Sequence, residues 1–347
     1  MRSPYSGMPQ KAFWRSGVSE QHPLTITNLY NKKFVIGEQD KIATAGSCFA
    51  QHIARHLTLN GYSVIDSEPP PPGLPPDRAT AYGYSMYSAR YGNIYTVRQL
   101  KQLTQEAFGK FKPKNAIWKK DDAYFDALRP AVEPNGLRSP GEVIQHRALH
   151  LKRIRQVFCS ANIFIFTLGL TEAWIHRSSG TCYPTAPGVI AGEYNEQDYA
   201  FVNFTAAEIL EDFLQFWRIV RVRNPEIRFI LTVSPVPLTA TASDEHVLSA
   251  TVYSKSVLRS VAGELASRFR QIDYFPSYEL IASHFSRALF YEPNLRAVSS
   301  AGVREVMRLF FSEHQPTRPS VHTTATEAET ELAELSCEEV LLEAFAG

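Results

Sequence analysis

At 347 residues, 44% apolar and 20% charged, the chain has ordinary globular composition and can bury a large core, as one α/β domain with a long insertion or as two domains. The formal net charge of +1 hides an asymmetry: seven glutamates and no Lys or Arg follow Arg318, so the rest carries 36 basic against 28 acidic residues. That excess favours anionic ligands slightly and is too diffuse for a nucleic-acid partner. No run approaches about 18 uninterrupted apolar residues, so no membrane span is expected, and MRSPYSGMPQKAFWRSG lacks the apolar run of a signal peptide. The four cysteines (Cys48, Cys159, Cys182, Cys337) show no CxxC or His–Cys zinc spacing, which points to reduced thiols, a cytoplasmic setting and no metal.

Taken in order, residues 1–33 are polar and aromatic with little period and read as an N-terminal arm. Ile42–Ala45 is a short apolar run closed by Gly46. A helical period follows in Phe49, Ile53 and Leu57, with Gly61 as its stop, and then a strand at Tyr62–Ile65. Pro69–Pro76 holds six prolines in eight positions, a stiff excursion that opens an insertion over about 67–138. Within it Val97–Phe108 reads as helix and 109–138 as loop. Ser139-Pro140-Gly141-Glu142 carries the N-cap, N1 proline and N3 glutamate of a helix running towards Phe158. Ile163–Leu168 (IFIFTL) is wholly apolar, as in a sheet covered on both faces. A second excursion spans His176–Asn203, after which Thr205 and Glu208 form a capping box for a helix through Arg223. Arg228–Ser234 is the next buried strand, Val252–Phe269 a helix, Gln271–Phe275 a strand and Ser299–Phe311 a final helix. About five strands alternating with helices predict a doubly wound parallel sheet, a three-layer α/β fold with long loop insertions. Residues 312–326 read as a linker. Glu327–Phe345, with Leu332, Leu335, Leu342 and Phe345 on a loose period, reads as an acidic amphipathic helix that docks on its own body or on a partner.

The turn after the first strand is where chemistry is expected, because ligands in open α/β sheets sit outside the carboxyl ends of strands. Ser47 and Cys48 lie there, at a helix N-terminus whose unpaired N–H groups suit a developing oxyanion. By itself a Gly-Ser at such a turn is often only a turn and N-cap. Here Gly46-Ser47-Cys48-Phe49-Ala50 is similar to the motif that names the GSCFA family, a group related to SGNH/GDSL-type hydrolases. The resemblance runs from about Phe34 to about Phe311. It takes in Gly92-Asn93-Ile94-Tyr95-Thr96, Thr167-Leu168-Gly169-Leu170-Thr171-Glu172-Ala173-Trp174, Ser234-Pro235-Val236 and Tyr253-Ser254-Lys255.

Carried over block by block, the resemblance makes Ser47 the nucleophile and its own N–H an oxyanion donor, with Gly92 and the adjacent Asn93 where a second donor is expected. Gly169-Leu170-Thr171-Glu172 stands where the pattern has Gly-x-Asn-Asp, so Thr171 replaces the amide donor and Glu172 the aspartate. Asn294-Leu295-Arg296-Ala297 stands where the pattern has Asp-x-x-His, so both orienting carboxylate and base are missing there. Substitute bases are His52, nearest in sequence, and His284. His52 lies about 500° around the helix from Ser47 and does not stack on it as Gln51 does. Cys48 is the alternative nucleophile, against the common role of a small buried hydrophobe. Glu172 at the end of a buried strand calls for a cation, Lys255 or Arg296, and Arg296 is also suited to an anionic substrate group. His150, His176 and His246, and the aromatics Trp174 and Tyr253, read first as packing.

No Gly-x-Ser-x-Gly elbow, Walker A, Gly-x-Gly-x-x-Gly or His-Glu-x-x-His occurs, which disfavours α/β-hydrolase, nucleotide and zinc-protease readings. The expectation is a cofactor-free SGNH-like esterase or acyltransferase acting through Ser47 on a small-molecule or carbohydrate O-acyl ester. The alternative is a catalytically degenerate relative that keeps the pocket for ligand or partner binding, as Asn294 and Ala297 suggest.

Overall fold

The computed structural model describes residues 3–315 and 338–346. Its strands in chain order are β1 (Lys41–Gly46), β2 (Ser63–Val64), β3 (Ile117–Lys120), β4 (Ala123–Asp126), β5 (Ile163–Leu168), β6 (Glu172–His176), β7 (Cys182–Tyr183), β8 (Tyr199–Asn203), β9 (Arg228–Val233) and β10 (Ile272–Tyr274). The α-helices are α1 (Phe49–Leu59), α2 (Pro76–Ala81), α3 (Val97–Ala107), α4 (Pro140–Ser160), α5 (Ala206–Arg221), α6 (Val247–Arg268), α7 (Ser277–Ala282) and α8 (Ser300–Glu313). Five strands form one parallel sheet in the order β2-β1-β5-β9-β10. The first strand therefore lies inside the sheet, and the winding reverses between β1 and β5.

Strand side chains alternate between the two faces, and each face has its own core. Ala43, Ala45, Phe164, Phe166, Leu168, Phe229, Leu231 and Val233 pack beneath α3, α4, α5 and α6. Ile42, Ile163, Ile165 and Ile230 pack on the other side against α1, α7 and α8, where Phe49, Ile53, Leu57, Val306 and Phe310 meet them. Helices on both faces explain why IFIFTL has no polar alternation: every residue of it is buried. The predicted caps form as read. Ser139 Oγ accepts from Glu142 N at 3.2 Å, and Thr205 and Glu208 make the reciprocal box at the start of α5.

The excursions hold more structure than their sequences announce. Residues 109–138 contain the β3–β4 hairpin, turned at Asp121 and Asp122, with Trp118 paired to Phe125. The stretch from Glu172 to Asn203 folds as an antiparallel sheet in the order β7-β6-β8. Trp118 and Phe125 of the hairpin meet Tyr183 and Tyr199 of this sheet in a third, small core. Arg147 of α4 pairs with both Asp126 and Glu106 of the insertion, while Arg129 to Asp126 and Arg90 to Glu133, each at 2.8 Å, tie the insertion to itself. α6 begins at Val247 rather than Val252, because His246 Nδ1 accepts from Leu248 N and caps an extra turn.

At the N-terminal side Ile26, Tyr30 and Ile36 enter the core beneath α8. The Tyr30 hydroxyl donates to Asp273 Oδ2 at 2.9 Å and lies 2.9 Å from His314 Nε2. Of the expected C-terminal helix, Glu338–Phe345 is a 3-10 helix, in which Phe345 is exposed. Residues 327–337 and most of the expected linker lie outside the described residues.

Candidate functional site

Gly46 ends β1 with φ of +139°. A Cβ there would come within 2.8 Å of Thr167 N and Thr167 Cβ on β5, and closer still to the Thr167 carbonyl, so only glycine lets the two strands run this close up to the turn. Ser47 follows, buried, with its N–H donating to Thr167 O over 3.3 Å. That long bond continues the ladder and occupies the N–H expected to serve as an oxyanion donor. Cys48, also buried, takes the N-cap position of α1 without capping it.

The wall opposite comes from the insertion. Ile94 N donates to Gly46 O at 2.9 Å, and Gly169 N and Leu170 N both donate to Tyr95 O at 3.1 and 3.0 Å. The Gly92–Thr96 block is thus clamped between the carboxyl ends of β1 and β5. Gly92 is in the left-handed region, at φ +66°. Asn93 is oriented by Tyr87, whose hydroxyl lies 2.5 Å from Asn93 Oδ1 and 3.1 Å from the Ser47 carbonyl. Gln51 Nε2 donates to the same hydroxyl at 3.1 Å. Bonded in this way through Oδ1, Asn93 has its amide nitrogen as the donor end.

From the β5 side, Gly169 presses on the nucleophile position. A Cβ built on it would lie 3.1 Å from Ser47 Cβ and 3.0 Å from Tyr95 O. The Gly169–Thr171 turn is held from below by α6: Ser254 Oγ accepts from Thr171 N at 3.0 Å, and Lys255, buried to 1% exposure, donates from Nζ to Gly169 O at 2.7 Å. Four hydroxyls at or near these strand ends, on Thr44, Ser47, Thr167 and Thr171, are buried with no hydrogen-bond partner among the described residues. Buried hydroxyls in that state normally meet water or a ligand.

The sequence-predicted residues divide into two groups. Ser47, Cys48, Asn93, Gly92, Thr171 and Lys255 converge on the β1–β5 switch point. Glu172 points to a different partner from the cations expected of it: its carboxylate accepts from Thr241 Oγ1 at 2.8 Å, while burial raises its pKa and the Thr241 and Ala242 hydrogen bonds oppose that. A hydroxyl and an amide meet a half-buried carboxylate without the desolvation of a second charge. Asn294 spends Oδ1 on its own turn, accepting from Arg296 N and Ala297 N at 3.0 and 2.9 Å. Arg296 pairs with Glu339 of the C-terminal segment at 3.1 Å. His52 is on α1 against Phe49, with Nδ1 buried and unpartnered; burial first, then His56 and Arg55, lowers its pKa to about 4. His284 stacks on Trp14 of the arm instead. Among the described residues no imidazole hydrogen-bonds to Ser47 Oγ.

Sequence reasoning missed Tyr87, which orders the Asn93 side chain and the Ser47 carbonyl; its only signal was its place in a tyrosine-rich loop. It also missed the pocket of about 160 Å3 that starts at Leu170, one residue beyond Gly169. Glu172, Trp174, Tyr183 and Phe201 of the β6–β8 sheet line one side, Leu238 and Ala242 another, and Glu339 and Leu342 close it. A smaller cavity of about 30 Å3 lies under the insertion between Tyr91, Gln99, Glu106, Arg147 and Cys182, room for about one or two waters. Among the described residues no three His, Cys, Asp or Glu side chains are grouped to hold a metal ion, and no helix is long and apolar enough to cross a membrane.

A search of curated proteins gives no match. Solved structures similar to this chain include a family 3 carbohydrate esterase from Clostridium thermocellum, 10% identical with a TM-score of 0.33, covering 79% of this chain and 94% of that one. They include also an acetyl esterase mutant with acetate ion, 10% identical with a TM-score of 0.33, covering 79% of this chain and 96% of that one. The GSCFA family model matches residues 41–310, most of the chain, and the protein belongs to the GSCFA family.

Proposed function

We propose that the protein is an SGNH-like serine esterase or acyltransferase that forms an acyl–enzyme on Ser47 from an O-acyl substrate. The observation that carries this reading is the Ser47 hydroxyl itself. It sits at the sheet's winding reversal, at a helix N-terminus, buried and without a protein partner among the described residues. In the proposed reaction Ser47 Oγ bonds to the ester carbonyl carbon and gives up its proton, the tetrahedral intermediate collapses as that proton passes to the departing oxygen, which leaves as the alcohol, and water or an acceptor hydroxyl then takes the acyl group while its own proton returns to Oγ. Asn93, ordered by Tyr87, and the Thr171 hydroxyl are the oxyanion donors in this reading. An acetylated carbohydrate suits the neighbouring pocket, where Trp174, Tyr183 and Phe201 offer aromatic faces and Glu172 a carboxylate for hydroxyl groups.

Two observations favour the second reading, a binding protein without turnover: no described imidazole meets Ser47 Oγ, and His52 has a pKa near 4, which makes it a weak base. A serine-directed fluorophosphonate separates the two. Labelling mapped to Ser47 and lost in Ser47→Ala supports the esterase; a folded, unlabelled protein supports the binding reading. Labelling of Cys48 by a thiol probe alone would move the nucleophile by one residue.

A further inference from the structure

The pocket that begins at Leu170 has a wall whose chemistry follows from strand register. Residues two apart in a strand share a face, so Glu172 and Trp174 of β6 stand on the same side of their sheet, with about 7 Å between the two backbone positions. Trp174 is directly opposite Tyr183 of β7 on one side and Phe201 of β8 on the other. Directly opposed residues also share a face. Three aromatic residues therefore cross the sheet in one row with a carboxylate beside it, and all four line the pocket. The rings are not parallel: those of Trp174 and Phe201 lie 5.8 Å apart at 62°.

The charge on this wall is negative. Among the described residues that line the pocket, Glu172 and Glu339 are the charged ones, and no Lys, Arg or His stands with them. Glu339 meets Arg296 at 3.1 Å. Glu172 meets neutral donors, the Thr241 hydroxyl at 2.8 Å and the Ala242 amide. Burial raises its pKa, and no cation of the described residues opposes that rise. A carboxylate partly out of water is stabilised more by a positive charge than by neutral donors. The faces of Trp, Tyr and Phe attract the same charge, because each ring is negative above its plane. A hydroxyl group would use the carboxylate and leave its charge unmatched. An ammonium group meets both the charge and the rings.

We propose that this pocket binds an ammonium group, held by the Glu172 carboxylate and the rings of Trp174, Tyr183 and Phe201, and that its ligands are organic cations. Where the pocket serves Ser47, the substrate is an O-acyl ester that also carries an ammonium group, and this part rests on the esterase reading given above.

The test is a saturation-transfer NMR titration of the full chain. Choline is the quaternary probe, ethanolamine the primary one, and the tert-butyl analogue of choline, the same shape without the charge, is the control. At least one of the two cations is expected to bind at millimolar concentration, and the uncharged analogue about tenfold or more weaker than choline where choline binds. Glu172→Gln is expected to weaken the cation by a similar factor. Trp174→Leu, which keeps an apolar side chain, is expected to weaken it too, and it carries the test if Glu172→Gln does not fold. Binding of either cation or of both supports the proposal and shows which ammonium fits. No binding of either, equal binding of choline and its uncharged analogue, or unchanged affinity in the folded variants overturns it. The readout needs no turnover. An inert Ser47 would refute the esterase reading and leave the ammonium site standing; a labelled Ser47 with no cation bound would do the reverse.

Discussion

Gly46→Ala is the substitution for which the structure sets the clearest magnitude. Two costs add. An L-residue at φ of +139° is strained, at about 1–2 kcal/mol. The new Cβ also lies within 2.8 Å of Thr167 N and Cβ and meets the Thr167 carbonyl, all on the neighbouring core strand. Backbone cannot rotate away as a side chain would, so a further ~1–3 kcal/mol of overpacking is expected. Together these make about 2–5 kcal/mol, a large fraction of the roughly 5–15 kcal/mol of a typical domain. Gly109→Ala is the internal control: Gly109 has φ of +71° and nothing within 4 Å of where the new methyl group would lie, so it carries strain alone, about 1 kcal/mol. Urea unfolding followed by far-UV circular dichroism measures both. Midpoints that fall equally in the two variants, with unchanged slopes, would refute the claim that close approach of β1 and β5 is what excludes a side chain.

Two further outcomes are expected. Burial lowers the pKa of His52, His150 and His314 to about 4, against about 6.5 in the unfolded chain. The unfolded state then binds more protons between those values, so stability is full above about pH 6.5 and is lost as pH falls towards 4, at up to about 4 kcal/mol per pH unit if all three contribute. His150 contacts Glu68 at 2.7 Å, but burial outweighs the carboxylate on the imidazole, so the pair is a neutral histidine bonded to an anion whose own pKa lies near 2. His52→Gln should flatten the pH profile of the urea midpoint by about a third, and a flat profile in the unmodified protein would refute the assignment. Among the described thiols, Cys159 is exposed while Cys48 and Cys182 are buried, and burial pushes Cys182 up to about 12. Iodoacetamide mapped by peptide mass should therefore modify Cys159 first; early alkylation of Cys182 would contradict the packing around it.

The central sheet was legible because its strands are continuous apolar runs between capped helices, signals that depend only on local sequence. Ser139 and Thr205 cap as read, and IFIFTL sits between two cores. The β3–β4 hairpin was not legible: four-residue strands joined at Asp121-Asp122 lack both length and an Asn-Gly turn. Its stability comes from Trp118 and Phe125 meeting Tyr183 and Tyr199, residues some sixty or more positions away. The same limit applied at the site. Ser47 could be found from its turn, but Tyr87, which orders Asn93 and the Ser47 carbonyl from forty residues downstream, could not. Nor could Glu172's partner, since a rule that seeks a cation for every buried carboxylate overlooks hydroxyl and amide donors such as Thr241 and Ala242.

The contact between Tyr30 and His314 brings the two ends of the folded body within one hydrogen bond of each other, and Lys32 reaches Glu313 at 3.6 Å beside it. Order along the chain is thus almost separable from order in space: a short linker from the end of α8 to the start of the buried arm would close the body into a ring. Such a ring can be reopened at an exposed turn of either excursion, Gly73 or Gly188, without cutting a strand of the central sheet. The fold therefore admits circularly permuted versions in which the insertion wall and the nucleophile turn keep their places while the chain termini move into an excursion.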